Sequence, residues 1–202
     1  MTEAALRAPK RGPYAKSALR RQQIIDKVLT VFDDLGFEGT SLRAIAETIG
    51  VTHPVLVHHF GTKEQLFLEV LRAHELRFTT SVPPDGERLA DALRRAAEYS
   101  TRTPGYMALL NSMVARALES SNDLSREYFA ARYADLRAGL LHVLETGRAA
   151  GTIRNDIPLE TAAALLLAAA DGLSTQWLLD KSVDLADGLV LLEKLLETGR
   201  AE

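Results

Sequence analysis

The chain of 202 residues contains no cysteine, which excludes disulfides, zinc–thiolate sites, iron–sulfur clusters and thiol nucleophiles together. Aromatic residues are scarce, at 6%, so a core has to be built from Leu, Ala, Ile and Val. Long apolar runs are missing as well. The longest stretch without a polar or charged side chain is Ala162–Ala170, nine residues, against roughly twenty for a helix that crosses a bilayer. The basic N-terminus has no apolar segment behind it, so it does not read as a signal peptide. A cytoplasmic protein with no membrane partner is the expectation. Strict alternation of apolar and polar residues is absent too, which speaks against sheets.

Charge is present in both signs but unevenly placed. Through Lys63 the chain holds nine Lys/Arg against six Asp/Glu, and beyond it fifteen against twenty-one. Residues 1–25 carry Arg7, Lys10, Arg11, Lys16, Arg20 and Arg21 against Glu3 alone. One end is thus suited to a polyanion while the remainder avoids it. A solvated basic tail is the other reading, and charge alone does not choose between them.

What the chain has in abundance is helical periodicity. Ser17 to Leu35 places Ile24, Ile25, Val28, Val31, Phe32 and Leu35 on one side, with Gly36 as the stop. A second helix opens at Ser41 and ends at Gly50. A third, His53–Phe60, is capped by Thr52 and has Pro54 in its first turn, where a missing N–H does no harm. Thr62 and Gln65 have capping-box spacing for a fourth helix towards Ser81. Pro83-Pro84-Asp85-Gly86 is the clearest break. Five more helices follow: Glu87–Thr101, Thr103 to about Glu119, a segment ending near Thr146, Leu159–Leu179 and Asp184–Thr198. Gly147 to Asp156 reads as a turn-rich connection. The fold class expected is all-α.

The informative segment is Ser41–Lys63. Two helices of eight residues or so meet at Ile49-Gly50-Val51-Thr52, where glycine permits the reversal and Val51 can plug the angle. The first has an apolar inner face built from Leu42, Ile45, Ala46 and Ile49. The second carries His53, His58 and His59 beside Val55 and Leu56, has no acid, and is flanked by Arg43 and Lys63. Small apolar and hydrogen-bonding side chains on a surface helix without negative charge suit a DNA major groove.

From Lys16 to Leu71, and above all in TSLRAIAETIGVTHPVLVHHFGTKEQLFLEVL, the chain resembles the DNA-binding domain of the TetR family of bacterial transcriptional regulators. The resemblance rests on Gly36, Phe37, Thr40, Ile45, Ala46, Gly50, Val51, Leu56, His59, Phe60, Lys63 and Leu66. It implies that Ser41 caps the supporting helix near a phosphate and that Arg43 reaches a phosphate or base edge. It further implies that Thr52, His53, Val55, His58 and His59 face DNA and that Lys63 contacts the backbone, where free helix N–H groups add to the ammonium. Val57 stands where many members have a phosphate-binding tyrosine, so that contact is absent or replaced. Arg11, in Arg11-Gly12-Pro13-Tyr14, either enters a narrow minor groove or belongs to a solvated arm.

Other constellations are weaker. The 53–58–59 spacing does not place histidine rings one turn apart, and no carboxylate completes a metal shell. No glycine-flanked serine elbow is present. No metal, cofactor or catalytic residue is expected. Met107, Asn111, Met113, Tyr128 and Gln176 are candidates to line a cavity for a small, mostly apolar effector, with ordinary core packing as the other reading. The alanines of 159–179, with the leucine stripe Leu185, Leu189, Leu192 and Leu196, suit either an intermolecular four-helix interface or burial within one subunit, and the resemblance favours the dimer. Together these readings divide the chain into a basic arm (1–16), a helix-turn-helix domain (17–63) and a ligand-binding and dimerisation domain (64–202). The function expected is that of a homodimeric repressor released from a palindromic operator by an effector. The alternative is an effector-independent architectural DNA-binding protein.

Overall fold

A computed structural model describes residues 13–80, 89–119 and 121–198; of the side chains at 13–16, 33–39 and 77–80 nothing is described. Arg11 and the Pro83–Gly86 break lie outside that set. Among the described residues there are nine helices: α1 (Pro13–Gly39), α2 (Leu42–Ile49), α3 (His53–Phe60), α4 (Lys63–Thr80), α5 (Leu89–Arg102), α6 (Pro104–Ala117), α7 (Asp123–Ala149), α8 (Leu159–Leu179) and α9 (Leu185–Leu196). The only pairing of strand type among them is an isolated bridge between Ile153 and Glu197. The fold is all-α.

Helix boundaries depart from the sequence expectation at three places. α1 opens at Pro13, four residues before Ser17, because proline fits the first turn and Tyr14, Ala15 and Lys16 continue it readily. It also runs through Gly36 to Gly39, since one interior glycine costs only about 1 kcal/mol against alanine and does not break a packed helix. α7 likewise continues past Gly147 to Ala149. There the glycine serves a close approach: a Cβ on Gly147 would lie 2.7 Å from Ile153 Cγ1. The expected cap at Thr52 is not made, and Thr103, at the N-cap position of α6, does not bond its own helix N-terminus through its side chain either. The Thr103 hydroxyl donates backwards to the Tyr99 carbonyl at 2.8 Å, tying α6 to the end of α5.

Two apolar cores hold the helices. The larger joins Ile24, Val28 and Phe32 of α1, Ile45 and Ile49 of α2, Leu56 and Phe60 of α3, and Leu66, Phe67 and Leu71 of α4. It continues without interruption into Tyr106, Leu109, Leu110 and Met113 of α6 and Phe129 of α7. The smaller joins Leu89 and Leu93 of α5, Leu144 at the end of α7, Leu159, Ala163 and Leu166 of α8, and Leu185 and Leu189 of α9. Buried Glu193 of α9 accepts from the Ala90 amide at 3.1 Å, supplying a partner to an N-terminal N–H of α5.

α8 stands apart in composition. Over its most apolar window its mean hydropathy is 1.3, which by length and composition alone is enough to cross a membrane. In the fold it packs against α7 and α9 through Ala162, Ala163, Leu166 and Ser174. It leaves Ala164, Leu165, Ala168, Gly172 and Leu179 exposed along another stripe.

Candidate nucleic-acid interface

The reading head is built by local rules. Ser41, in extended conformation, accepts from the Ala44 amide at 3.0 Å and starts α2. Gly50 ends it in the left-handed region at φ 72°, where a non-glycine residue is strained. The Val51 amide bonds the Ala46 carbonyl at 2.9 Å and the Gly50 amide bonds that of Glu47 at 3.3 Å. This is a Schellman closure, and it fixes the angle at which the chain enters α3. Leu56 and Phe60, one turn apart and buried, anchor α3 to the core. Thr52, His53, Pro54, Val57 and His58 are therefore turned to solvent.

The expected contact residues fall into two groups. His53, His58 and Thr52 are exposed on that outer face, whereas Val55 and His59 are half-buried, Val55 packing against the core. Because Thr52 makes no capping bond, its hydroxyl is not spent on the helix. Val57 is itself exposed one turn from His53, so this face is more apolar at its centre than a tyrosine would make it. The His58 and His59 rings meet edge-on at 5.3 Å. Partial burial, with His58, Arg21 and Arg20 nearby, holds the His59 pKa below its usual value, so near neutral pH its ring is an uncharged hydrogen-bonding group.

Cations border the face. Arg43 projects from the first turn of α2, and Ser41 is exposed beside it. Lys63 is half-buried at the first position of α4. The expected capping box at that helix is formed: the Thr62 amide bonds Gln65 Oε1 at 3.0 Å, and the Gln65 amide bonds Thr62 Oγ1 at 3.1 Å. α3 carries no acid, but one acid does stand beside it. Glu47 of α2 lines an open cleft with Arg43, Ala46, Val51, Thr52 and His53. What this arrangement offers chemically is a ridge of hydrogen-bonding and small apolar groups between cationic flanks.

Residues 24–70 match the family model described as bacterial regulatory proteins, tetR family. Residues 85–200 match the model described as BetI-type transcriptional repressor, C-terminal. The chain belongs to the TetR family. It is a helix-turn-helix transcriptional regulator, and its family is one of regulators rather than enzymes. The HTH-type transcriptional repressor AcnR of Corynebacterium diphtheriae is 27% identical over 160 residues, covering 77% of this chain and 79% of the relative. Among solved structures, a transcriptional regulator from Saccharomonospora viridis in complex with choline superposes with a TM-score of 0.73 at 18% identity, over 90% of this chain and 99% of the other. A SmeT–triclosan complex gives 0.73 at 18% identity, over 90% and 93%.

In this TetR-family chain the expected effector-lining residues are distributed unequally. Met107 and Met113 are buried in the larger core, and Tyr128 is half-buried against it. Asn111 is held in place: its Nδ2 donates to the Met107 carbonyl at 2.9 Å and its Oδ1 accepts from Thr175 at 2.7 Å. Gln176 does not join them. It is exposed on the α8 stripe that includes Gly172 and Leu179, because the turns that bury Ser174 point it the other way.

Sequence reasoning missed a polar layer where α4 meets α5, α6 and α7. The Glu75 carboxylate accepts from Arg132 Nε and, at 2.9 Å, from the Tyr128 hydroxyl. His74 Nδ1 lies 2.9 Å from the Tyr99 hydroxyl, and its ring stacks on Tyr106 at 5.3 Å. Arg132 Nη1 is buried with no hydrogen-bond partner. On the Tyr133 side, burial raises the Asp171 pKa against the effect of the Tyr133 hydrogen bond. A signal was present in the sequence: Arg132 lies three residues from Phe129 and Glu75 four from Leu71, so both charges interrupt otherwise apolar stripes.

The layer is tied to the reading head along α4. Arg72 lies over the Tyr128 ring at 5.0 Å and pairs with Glu69 at 3.1 Å. Glu69 also pairs with Arg21 of α1 at 2.9 Å, and Arg21 lies over the ring of Phe60, the last residue of α3, at 5.1 Å.

Proposed function

We propose that the protein is a homodimeric repressor. Two copies of α3 enter successive major grooves of a palindromic operator, with half-sites about 34–36 Å apart. The observation that carries this reading is the outer face of α3: Thr52, His53, Val57 and His58 exposed, Leu56 and Phe60 anchored, and no acid on the helix. Ser41 and Lys63 supply backbone contacts, and Arg11 adds one from the arm. The leucine stripe expected at the interface, Leu185, Leu189, Leu192 and Leu196, packs instead into the smaller core of its own chain, where it closes α9 on α5 and α8; dimerisation through the outer faces of α8 and α9 is supported by Leu165, Leu191 and Leu195, which are 57%, 59% and 61% exposed in the isolated chain. A second copy related by a two-fold axis would cover them.

Release by a small, mostly apolar effector is the regulatory half of the proposal. Met107, Met113 and Tyr128 adjoin the polar layer on Glu75 and Arg132, and methionine side chains re-pack around a guest at little cost. The choline and triclosan complexes of structural neighbours support a ligand site in a bundle of this kind. An effector that binds the two states of the dimer unequally would tilt α4 and change the separation of the two α3 helices.

Selection of duplexes from a random pool, followed by titration of the selected site against salt, tests the reading. The expected result is an inverted repeat, bound with an affinity that falls steeply as salt rises, by about 0.9 in log–log slope per phosphate contacted. Recovery of no preferred sequence, or of unpaired half-sites at random spacing, would overturn it.

A further inference from the structure

Packing alone gives no reason for the ion pair inside the polar layer. Apolar side chains of similar volume usually serve a buried α4–α7 contact as well or better. This pair is also incompletely bonded. Glu75 takes the Nε of Arg132, while Nη1 of the same guanidinium is buried without a hydrogen-bond partner among the described residues. An unmet donor on a nearly buried cation is costly to keep. Around it, the Tyr133 ring lies 5.7 Å from the guanidinium carbon and the Tyr106 hydroxyl lies beside it. Met107 and Met113 belong to the same core as Tyr106.

The chemistry that would complete this arrangement can be narrowed by charge. An ammonium would set a second cation beside Arg132, and burial works against the ionised form of Asp171, the other acid facing the guanidinium. An amide or alcohol brings an acceptor but no charge. A carboxylate brings two acceptor oxygens and a negative charge to a planar fork that has a donor to spare. Burial pushes the Tyr106 and Tyr128 hydroxyls above their usual pKa, so both stay protonated and able to donate. We infer that Arg132 anchors the carboxylate of an otherwise apolar effector, a monocarboxylate that shares the guanidinium with Glu75.

This inference rests on the effector-release reading above and deepens it by naming the ligand class and the contact through which it acts. Glu75 stands on α4 and Arg132 on α7. A second carboxylate on the guanidinium repels Glu75 and weakens the bond that holds the two helices together. α4 is also the helix whose Glu69 reaches Arg21 and, through it, the Phe60 end of α3. Glu75 therefore opposes the ligand and transmits its arrival.

The test uses the full chain, as wild type, Arg132→Met, Glu75→Gln and the double variant Glu75→Leu with Arg132→Met, each checked for cooperative thermal unfolding. The probes are straight-chain monocarboxylates from butanoate to dodecanoate, and phenylacetate and phenylbutyrate, each beside its amide and its amine. Calorimetry without DNA reads binding, and fluorescence anisotropy on the selected duplex reads release. Wild type is expected to bind at least one acid about 10- to 100-fold more tightly than its amide, and no amine more tightly than its acid. Arg132→Met and the double variant bring acid and amide within about twofold of each other. Glu75→Gln binds the acid about 3- to 10-fold more tightly than wild type, with amide affinity unmoved, and gives less release at saturation. A merely structural Glu75 would weaken acid and amide alike.

The inference is overturned if amides or amines bind as tightly as their acids throughout, or if nothing in the series binds at millimolar concentration. It is equally overturned if a folded double variant keeps the acid preference, or if Glu75→Gln weakens acid binding. Acid binding that leaves operator affinity unchanged overturns the coupling through Glu75. Release by a neutral or cationic member alone would strike the ligand class and leave the repressor reading standing. A chain that binds acids as described but selects no duplex would keep the ligand class and lose the repressor reading.

Discussion

Removal of Glu75 by Glu75→Leu tests the packing of the polar layer directly. Its partner Arg132 has a side chain only 14% exposed, against 26% for Glu75, and one of its terminal nitrogens already lacks a partner. Without the carboxylate the nearly buried guanidinium loses its direct ion-pair partner and keeps only the Asp171 carboxyl and the Tyr106 hydroxyl, and the Tyr128 hydroxyl loses its acceptor. Breaking a fully buried pair costs about 3–5 kcal/mol; water reaching the exposed fraction lowers the expectation to about 2–4 kcal/mol.

Three companions separate charge from shape. Glu75→Gln keeps an acceptor for Tyr128 and is expected to lose about 1–2 kcal/mol. Arg132→Met alone leaves Glu75 partly hydrated and bonded to Tyr128, so it costs less than Glu75→Leu. The double change Glu75→Leu with Arg132→Met is expected within about 1 kcal/mol of wild type, because replacing both members of a buried pair by apolar groups is often neutral. Urea unfolding followed by far-ultraviolet circular dichroism, at one fixed protein concentration, measures all four. The reasoning is refuted if Glu75→Leu costs under about 0.5 kcal/mol. It is also refuted if the double variant is as unstable as the single one.

Three further outcomes are expected. Leu191→Glu with Leu195→Glu should give a folded monomer in sedimentation and abolish tight operator binding, since both positions are largely exposed in the isolated chain; a variant that remains dimeric contradicts the α8–α9 interface. Asp171→Asn should raise the melting temperature at neutral pH. Burial lifts the Asp171 carboxyl above its ordinary value, so its contribution to stability is intact below the unfolded pKa and is lost as pH rises through the folded one. The advantage of asparagine should therefore shrink towards pH 3, and a difference that does not change with pH speaks against the cause given. Gly147→Ala should destabilise by about 1–2 kcal/mol through overpacking, its Cβ falling 2.7 Å from Ile153 Cγ1 and 3.1 Å from Thr152 Oγ1. Gly139→Ala in the same helix has open space and should stabilise by about 0.5–1 kcal/mol, the gain in helix propensity. Equal effects at the two glycines would rule out steric contact as the origin.

Helical period made most of the fold legible in the sequence, because burial on one side of a cylinder leaves a direct mark. α8 begins and ends where its apolar residues do, and α3 lies between Thr52 and Gly61 as its proline and glycine require. Boundaries set by tertiary contact were not legible. Gly36 and Gly147 look like stops, yet both lie inside helices held by their neighbours. Within the candidate interface, the outward aim of His53 and His58 follows from anchors at Leu56 and Phe60, which the sequence displays. The Glu75–Arg132 pair joins residues 57 apart, and only the docking of α4 on α7 decides that they meet. Gln176, exposed on α8, makes the complementary point: the phase of an alanine-rich helix with apolar residues on several faces does not say which face turns inward.

The uninterrupted larger core bears on how such a protein could be re-engineered. α1 rests on α6 as well as on α2 and α4, so Ile24 and Val28 belong to the same packing unit as Leu109 and Met113. A chimera that transplants residues 17–63 alone would set the roof of one molecule on the joists of another, with mismatched methyl groups along the seam. The exchangeable module includes α4 and α6, and new operator preferences are better introduced by changing side chains on the outside of α2 and α3 than by swapping the head.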